Sequence, residues 1–242
     1  MSQLDLLSAD AGKRGVFSSA FFIALLFVFP AVSLQAAPLK VVAMGDSTTA
    51  GTPFFRSPAE VPPDGRGNPE AQYSFWLKKS FPDWEILNRG VNGERTDQML
   101  ERFQSDVLNH KPGLVIILGG VNDLYQGEEP AAIIRNLKAM YALARENGIR
   151  VMACTILPYD EMTPRVFARM REVNEWIRVN AADEKFIFCD TYKAVEDPAR
   201  PGKLSGSPEG LHPDLPAYRR MGEAVAAALK IGIEKDVSGA DT

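Results

Sequence analysis

The sequence has few of the residues that bind metals or form cross-links. Its 242 residues include two histidines and two cysteines. The sequence has 27 Lys and Arg residues and 31 Asp and Glu residues. A net charge of −4 excludes the basic stripe typical of a nucleic-acid-binding domain. The histidines and cysteines do not have the spacing of a metal centre, and there is no P-loop motif for a nucleotide phosphate. We therefore expect no metal and no cofactor.

The two cysteines, Cys154 and Cys189, each lie in a short apolar run that is typical of a buried strand. A free buried thiol is the commoner state at such positions. An oxidising compartment would also permit a disulfide between them, so the sequence leaves that alternative open.

Long apolar runs are also scarce, with one exception near the N-terminus. Lys13 and Arg14 precede an apolar stretch at residues 16–34, and small residues follow it. This order is typical of a secretory signal peptide, and the densest part of the stretch is shorter than the roughly 20 residues that span a bilayer. We predict a signal peptide over residues 1–37, with an uncleaved anchor as the alternative. The protein is then exported, to the periplasm or outside the cell, without a stable membrane span after processing.

Residues 38–242 are predicted to form a single α/β domain. Short runs rich in Val and Ile alternate with helical patterns, which indicates a parallel sheet covered by helices on both faces. The predicted strands are Leu39–Met44, Trp84–Asn88, Leu114–Leu118, Arg150–Ile156 and Lys185–Cys189. The predicted helices are Ala71–Ser80, Thr96–Asn109, Pro130–Asn147, Pro164–Asp183 and Pro216–Lys230. We expect the domain to be monomeric.

One segment does not fit this alternation. Residues 52–69 contain five prolines. The segment is too long for an ordinary connection between a strand and a helix. The composition predicts either a rim or lid over a site, or a disordered insertion.

Polar and flexible residues follow the predicted strands at their carboxyl ends, which is where ligands bind in open α/β sheets. The sequence GDSTTAG at residues 45–51 follows the first strand, VNGERT at 91–96 the second, GVND at 120–123 the third and EGLHP at 209–213 the fifth. Because the carboxyl ends of parallel strands meet at one edge of the sheet, these four blocks are expected to form one site.

Two histidines are available as a base. His110 precedes the third strand, at the opposite edge of the sheet, where we expect a positive charge stabilised by a helix C-terminus. His212 lies at the carboxyl edge. A serine hydroxyl needs a base to accept its proton, and the base needs an orienting group. Ser47, His212 and Glu209 would supply these three roles. The alternative for His212 is a loop histidine that caps the last helix.

The four blocks resemble those of the SGNH, or GDSL, hydrolases and occur in the family's order. This resemblance implies a flavodoxin-like three-layer α/β/α sandwich with a five-stranded parallel sheet. It also implies an esterase that forms an acyl-enzyme on Ser47, with His212 as general base and acid. The oxyanion hole would consist of the Ser47 amide, Gly93 and Asn122. Asp46 and Asp123 match positions that brace the loops.

One residue departs from the family pattern. Three residues before its histidine the family usually has Asp, whereas this chain has Glu209. Because other triads use Glu in this role, we predict that Glu209 orients His212. In the alternative, a backbone carbonyl orients His212 and Glu209 faces solvent.

Two other functions remain open from the sequence. The hydroxyl-rich residues 47–52 also resemble the phosphate loop of flavodoxins, which would make the chain an FMN-binding protein. A non-catalytic glycan-binding protein on the same scaffold is the other alternative. For an esterase, the expected partner is a small-molecule or glycan ester. No long apolar loop run indicates a fatty-acid channel, which favours short acyl or acetyl esters.

Overall fold

The computed structural model describes residues 38–239 of the chain. In chain order its strands are β1 (Lys40–Gly45), β2 (Phe55–Arg56), β3 (Arg66–Gly67), β4 (Glu85–Gly90), β5 (Leu114–Leu118), β6 (Arg150–Cys154), β7 (Ile187–Cys189), β8 (Glu196–Asp197) and β9 (Arg200–Leu204). Its α-helices are α1 (Ser47–Ala50), α2 (Tyr73–Ser80), α3 (Thr96–Glu101), α4 (Phe103–Asp106), α5 (Val121–Tyr125), α6 (Pro130–Glu146), α7 (Pro164–Asp183), α8 (Thr191–Val195) and α9 (Leu215–Gly239). The predicted signal at residues 1–37 lies outside the described residues. Within them, no helix combines the length and apolar content needed to cross a membrane.

Five of these strands form one sheet in the order β4-β1-β5-β6-β7. Every neighbouring pair in it is parallel. The predicted five-stranded parallel sheet of an α/β/α sandwich is therefore confirmed. The parallel arrangement brings the carboxyl ends of all five strands to one edge, so the segments that follow β1, β4 and β5 lie side by side.

Both faces of the sheet are buried. Successive side chains of a strand point to opposite faces. In β1, Val42 and Met44 pack against α3, α4, α6 and α7, whereas Val41 and Ala43 pack against α2 and α9. Each fully buried Val or Met contributes about 1.5–3 kcal/mol to folding. This two-sided burial explains why the strands are apolar throughout instead of alternating with polar residues.

The helix predicted at Thr96–Asn109 is divided in the structure. It forms α3, α4 and a 3-10 turn at Leu108–His110. Met99, Phe103 and Val107 are all fully buried, so the apolar spacing identified the inward face correctly. That spacing does not require unbroken helical hydrogen bonds, and the prediction of one continuous helix was wrong.

Several other predicted boundaries differ for identifiable reasons. β6 ends at Cys154 because the Asn174 side chain bonds both the amide (2.7 Å) and the carbonyl (2.9 Å) of Ile156. β7 begins at Ile187 because Lys185 has a left-handed φ of 57°, which an extended strand does not tolerate. α9 continues past the predicted end at Lys230, to Gly239.

Residues 52–69 are folded, so the alternative of a disordered insertion was wrong. β2 and β3 pair as an antiparallel hairpin, and Phe55 is buried. The Ser57 hydroxyl donates to the carbonyl of Gly90 (2.5 Å), and the Glu60 carboxylate accepts from the amide of Asn92 (3.2 Å). The segment therefore packs against the loop that follows β4.

The two cysteines lie directly opposite each other on β6 and β7. Both are free and buried, as the sequence favoured.

Candidate active site

Ser47 lies where β1 turns into α1. The turn is tight: a Cβ on Gly45 would stand 2.4 Å from the carbonyl oxygen of Leu118, so only glycine fits. Asp46 caps the short helix, and its carboxylate accepts from the amide of Thr48 (2.9 Å). The cap and the turn fix the backbone on both sides of Ser47, whose side chain is buried.

His212 contacts Ser47 although 165 residues separate them in the chain. Its Nε2 lies 2.9 Å from the Ser47 Oγ, and its Nδ1 is in hydrogen-bond contact with the Glu209 Oε1. A carboxylate only accepts hydrogen bonds, so Nδ1 carries a proton and Nε2 of the neutral ring is free to accept from the hydroxyl. The structure thus brings the side chains of Ser47, His212 and Glu209 together.

Both oxygens of the Glu209 carboxylate are engaged. Oε1 contacts His212, and Oε2 accepts from the Ser207 hydroxyl (3.2 Å), which itself accepts from the amide of Gly210 (2.8 Å). Burial raises the pKa of Glu209, but its interactions with His212, the hydrogen bond first among them, outweigh burial, and the net pKa is lowered. The loop therefore accommodates the additional methylene of Glu209 while keeping its carboxylate ionised at His212.

Asn122 lies in the first turn of α5 and points its amide at the loop after β4. Its Nδ2 donates to the carbonyl oxygen of Glu94 (2.8 Å), which leaves the second amide hydrogen free. The peptide between Glu94 and Arg95 thus stands beside Asn122. At the other end of this loop, the amide of Val91 donates to the carbonyl of Gly45 (3.1 Å), next to the serine turn.

Gly90, which ends β4, and Gly93, in the loop that follows, are required for different reasons. Gly93 has a φ of +80°, and a Cβ there would meet nothing within 4 Å. Its left-handed backbone conformation favours glycine, and the space where a Cβ would lie is open. Gly90 is a packing position, because a Cβ there would stand 2.1 Å from the amide nitrogen of Ala50.

Two buried carboxyls hold the loops, as the sequence predicted. Asp123 accepts from both the amide (2.9 Å) and the hydroxyl (2.5 Å) of Thr96. Burial raises the pKa of Asp123, and the hydrogen bonds from Thr96 oppose this rise. Burial also raises the pKa of Asp46, to about 7, although the hydrogen bond from Thr48 lowers it. These carboxyls fix turns and do not contact His212 in any hydrogen bond that the structure describes.

Two further side chains support the site although no motif indicated them. The Arg102 guanidinium donates to two carbonyl oxygens and two carboxylates around the loop after β4. Asp160 accepts from the amide of Leu204 (3.1 Å), and its own amide donates to the carbonyl of Gly210 (2.6 Å). Neither residue differs in the sequence from an ordinary surface charge.

His110 has a different environment from the one predicted. It lies in the turn before β5, and its Nε2 is 2.5 Å from an Arg89 guanidinium nitrogen. A guanidinium only donates, so the ring nitrogen accepts and the ring is neutral. Burial, and after it the charge of Arg89, lowers the pKa of His110. His110 does lie at the C-terminus of a helix, the 3-10 turn Leu108–His110, but its lowered pKa opposes the positive charge that we expected there.

The groups that would bind a flavin phosphate are already occupied. The amide of Thr48 donates to the Asp46 carboxylate, and the Thr49 hydroxyl lies 3.4 Å from the Tyr73 hydroxyl. A carboxyl at this helix N-terminus takes the place of a phosphate. Within residues 38–239, no group of three or more His, Cys, Asp or Glu side chains is arranged to bind a metal ion.

Comparison with known proteins decides the family. Residues 43–220 match the GDSL-like lipase/acylhydrolase family. The chain belongs to this family. The match includes all four sequence blocks, so this GDSL protein is a hydrolase of that class.

Individual relatives agree with this assignment. The esterase TesA of Pseudomonas aeruginosa is 28% identical over 200 residues, which cover 81% of this chain and 90% of TesA. The uncharacterized lipoprotein YqeF of Bacillus subtilis is 31% identical over 150 residues, and the match spans 58% of each protein. A solved structure from Desulfitobacterium hafniense DCB-2, assigned to the lipolytic G-D-S-L family, is 29% identical with a TM-score of 0.66. It covers 78% of this GDSL hydrolase and 99% of its own chain.

Proposed function

We propose that this GDSL hydrolase is an exported serine esterase that cleaves carboxylic esters through an acyl-enzyme on Ser47. The observation that carries the proposal is the chain of contacts from the Ser47 hydroxyl to His212 Nε2 (2.9 Å), and from His212 Nδ1 to the Glu209 carboxylate. Family membership supports an acyl-ester substrate.

In the first half of the reaction, the Ser47 Oγ attacks the ester carbonyl carbon while its proton passes to His212 Nε2. The carbonyl oxygen becomes an oxyanion, which the Ser47 and Gly93 amides and the Asn122 side chain stabilise. Each such donor contributes on the order of 10²–10³ in rate. His212 then gives its proton to the departing alkoxide, which leaves as an alcohol, and the acyl group remains on Ser47.

In the second half, a water molecule attacks the acyl-enzyme and gives a proton to His212. Collapse of the second tetrahedral intermediate releases the carboxylic acid and returns the proton to Ser47. Glu209 keeps the His212 ring in one orientation and stabilises its positive charge during both halves. The sum is ester plus water to acid plus alcohol.

Replacement of the nucleophile tests this mechanism. Ser47→Ala is expected to reduce kcat for p-nitrophenyl acetate by about 10⁴-fold or more, because no hydroxyl remains to carry the acyl group. Ser80→Ala is the matched control, since this exposed serine at the end of α2 is expected to leave kcat unchanged. Turnover by Ser47→Ala at the rate of the unmodified enzyme would contradict the proposal.

We further propose that short acyl or acetyl esters, of a small alcohol or a glycan, are the preferred substrates. The loops that follow the strands contain no long apolar run that would line a fatty-acid channel. A series of p-nitrophenyl esters from acetate to palmitate measures this preference. The highest kcat/KM is expected for acyl groups of roughly two to four carbons, because apolar pockets discriminate between acyl chains that differ by single methylene groups. An optimum at long chains would contradict the proposal.

Export and a monomeric state complete the proposal. Export rests on the basic and then apolar pattern of residues 1–37. A lipoprotein among the relatives is consistent with it. Fractionation of cells that express the full chain, with and without residues 1–37, tests export, and size-exclusion chromatography with light scattering tests the monomer.

A further inference from the structure

The guanidinium of Arg102 lies between three segments that meet at the carboxyl edge of the sheet. Its Nη2 donates to the carbonyl oxygen of Gly45 (2.9 Å), its Nη1 to that of Arg89 (2.9 Å), and its Nε to the carboxylate of Glu94 (2.6 Å). The side chain is only 15% exposed. One partly buried cation therefore joins the end of β1, the end of β4 and the loop that follows β4.

Two of these three acceptors, those on Gly45 and Glu94, lie close in the chain to groups of the proposed oxyanion hole. Gly45 precedes the turn that carries the Ser47 amide. Glu94 follows Gly93, and its carbonyl oxygen accepts from the Asn122 amide (2.8 Å). The Arg102 side chain is thus connected through Glu94 to the Gly93 amide and the Asn122 side chain, and through Gly45 and Asp46 to the Ser47 amide. It forms no described hydrogen bond with these donors themselves.

The arrangement is built to be rigid. Hydrogen bonds between charged partners in a partly buried site are stronger than neutral ones. A guanidinium also has a fixed planar fork, so its bonds set angles as well as distances between the segments. Nη1 of the same guanidinium also donates to the carboxylate of Asp106, one helical turn further on in α4 (2.7 Å). Asp106 therefore holds the Arg102 side chain against α4 while its other nitrogens bond the loops.

We propose that Arg102 is a positioning residue for the oxyanion hole, which holds the Ser47, Gly93 and Asn122 donors in one constellation. This inference rests on the proposed esterase function. It predicts that Arg102 affects transition-state stabilisation more than substrate binding, because the donors act where charge develops. It also predicts that Arg102 leaves the proton transfer by His212 unchanged, since none of its described contacts involves that ring.

The test compares Arg102→Gln and Arg102→Lys with Arg178→Gln, which removes an exposed guanidinium paired with Glu175 on α7. For Arg102→Gln, kcat on p-nitrophenyl acetate is expected to fall about 10- to 100-fold, as for a small misplacement of catalytic groups, while KM changes less than about threefold. Arg102→Lys keeps the charge but not the fork, so an intermediate loss is expected. The control is expected to keep the kcat of the unmodified enzyme.

Two readouts separate positioning from general destabilisation. All rates are measured at least 15 °C below the melting temperature of each variant, a rough margin that keeps it folded, and are normalised to the folded fraction. The acid limb of the pH profile of kcat/KM is expected to stay where it is in the unmodified enzyme. Hydrogen exchange is expected to increase at residues 89–95 in Arg102→Gln and not in Arg178→Gln. If Arg102→Gln does not fold, the same measurements are made on Arg102→Lys and on Asp106→Asn, which removes the ion pair between Asp106 and Arg102.

Several results would overturn the inference. They are a kcat within twofold of the unmodified enzyme, a loss confined to KM, a shift of the acid limb, or unchanged exchange at residues 89–95. Ser47→Ala is assayed in parallel. If that variant is inactive and Arg102→Gln is fully active, the inference about Arg102 fails alone. If Ser47→Ala keeps its activity, the proposed function fails and the inference fails with it.

Discussion

The two histidines of this protein occupy regions that differ in charge, and the difference decides what each ring can do. His212 lies between a serine hydroxyl and the carboxylate of Glu209, in the loop before α9. His110 lies in the turn before β5, beside the guanidinium of Arg89. A carboxylate stabilises the protonated ring that a general base must become. A guanidinium disfavours that form, so the His110 ring is less suited to accept a proton.

The same contrast applies to the regions as a whole. The edge of the sheet that carries Ser47 also holds the buried carboxyls Asp46 and Asp123, and burial raises the pKa of both. Such groups cost free energy of folding and are retained where they hold a site in place. The turn that carries His110 has no such buried carboxyl among its described hydrogen-bond partners. Two buried carboxyls with a raised pKa thus lie at the edge with the proposed chemistry.

Replacing each histidine in turn is expected to give the largest difference between the two regions. His212→Gln is expected to reduce kcat on p-nitrophenyl acetate by about 10⁴-fold or more, because nothing else accepts the Ser47 proton. His110→Gln, the matched control, is expected to change kcat less than about twofold. Steady-state assays of both variants measure the difference. Equal losses in the two variants would mean that the environments of the rings do not determine their roles.

Changes at Glu209 sharpen the comparison at the favoured ring. Glu209→Gln keeps the shape but removes the charge, and it is expected to lower kcat about 10²- to 10⁴-fold. Glu209→Asp keeps the charge but is one methylene shorter, so it cannot reach His212 and Ser207 as Glu209 does, and a loss of about tenfold is expected. An unchanged kcat in Glu209→Gln would show that another group orients His212.

The smallest expected effect concerns stability at the serine turn. The pKa of Asp46 is about 7 in the folded protein against an ordinary value of 3.8. The folded state therefore binds more protons than the unfolded state between about pH 4 and 7, and stability falls as the pH rises through that window. Asp46→Asn stays neutral and remains a good N-cap. It is expected to raise the free energy of unfolding at pH 8 by about 1–3 kcal/mol, and most of this gain is expected to vanish at pH 5.

Urea denaturation at both pH values measures the Asp46 effect. Asp97→Asn is the control, because the hydrogen bond with Arg95 lowers the pKa of this exposed carboxyl. That variant is expected to show no gain at pH 8. An Asp46→Asn protein that is less stable than the unmodified protein at pH 8 would mean that the charge of Asp46 stabilises the turn.

Much of the fold and site was predictable because it depends on local patterns. The Val- and Ile-rich strands identified the sheet, and the glycine, serine, asparagine and histidine blocks marked the edge where ligands bind. The choice of His212 over His110 followed from their positions relative to the strands. Strand direction determines which residues meet, and it can be read from the alternation of strands and helices alone.

The remainder depends on contacts between side chains and distant backbone groups. Arg102 bonds a carbonyl 57 residues earlier in the chain, and Asn174 ends β6 from 18 residues away. No periodicity records such bonds, because any Arg or Asn on a helix surface gives the same pattern. The lowered pKa of His110 belongs to this class, because it follows from burial and from Arg89, which only the folded chain brings beside the ring.

Covalent labelling of the nucleophile tests the central claim most directly. The full protein is treated with a fluorophosphonate, which traps serine nucleophiles whose base and oxyanion donors are in place, and the site of the adduct is mapped by peptide mass spectrometry. The account predicts one adduct, on Ser47, which is absent in Ser47→Ala and forms far more slowly in His212→Gln than in His110→Gln. An adduct on any other residue, or an unmodified Ser47 in active protein, would contradict it.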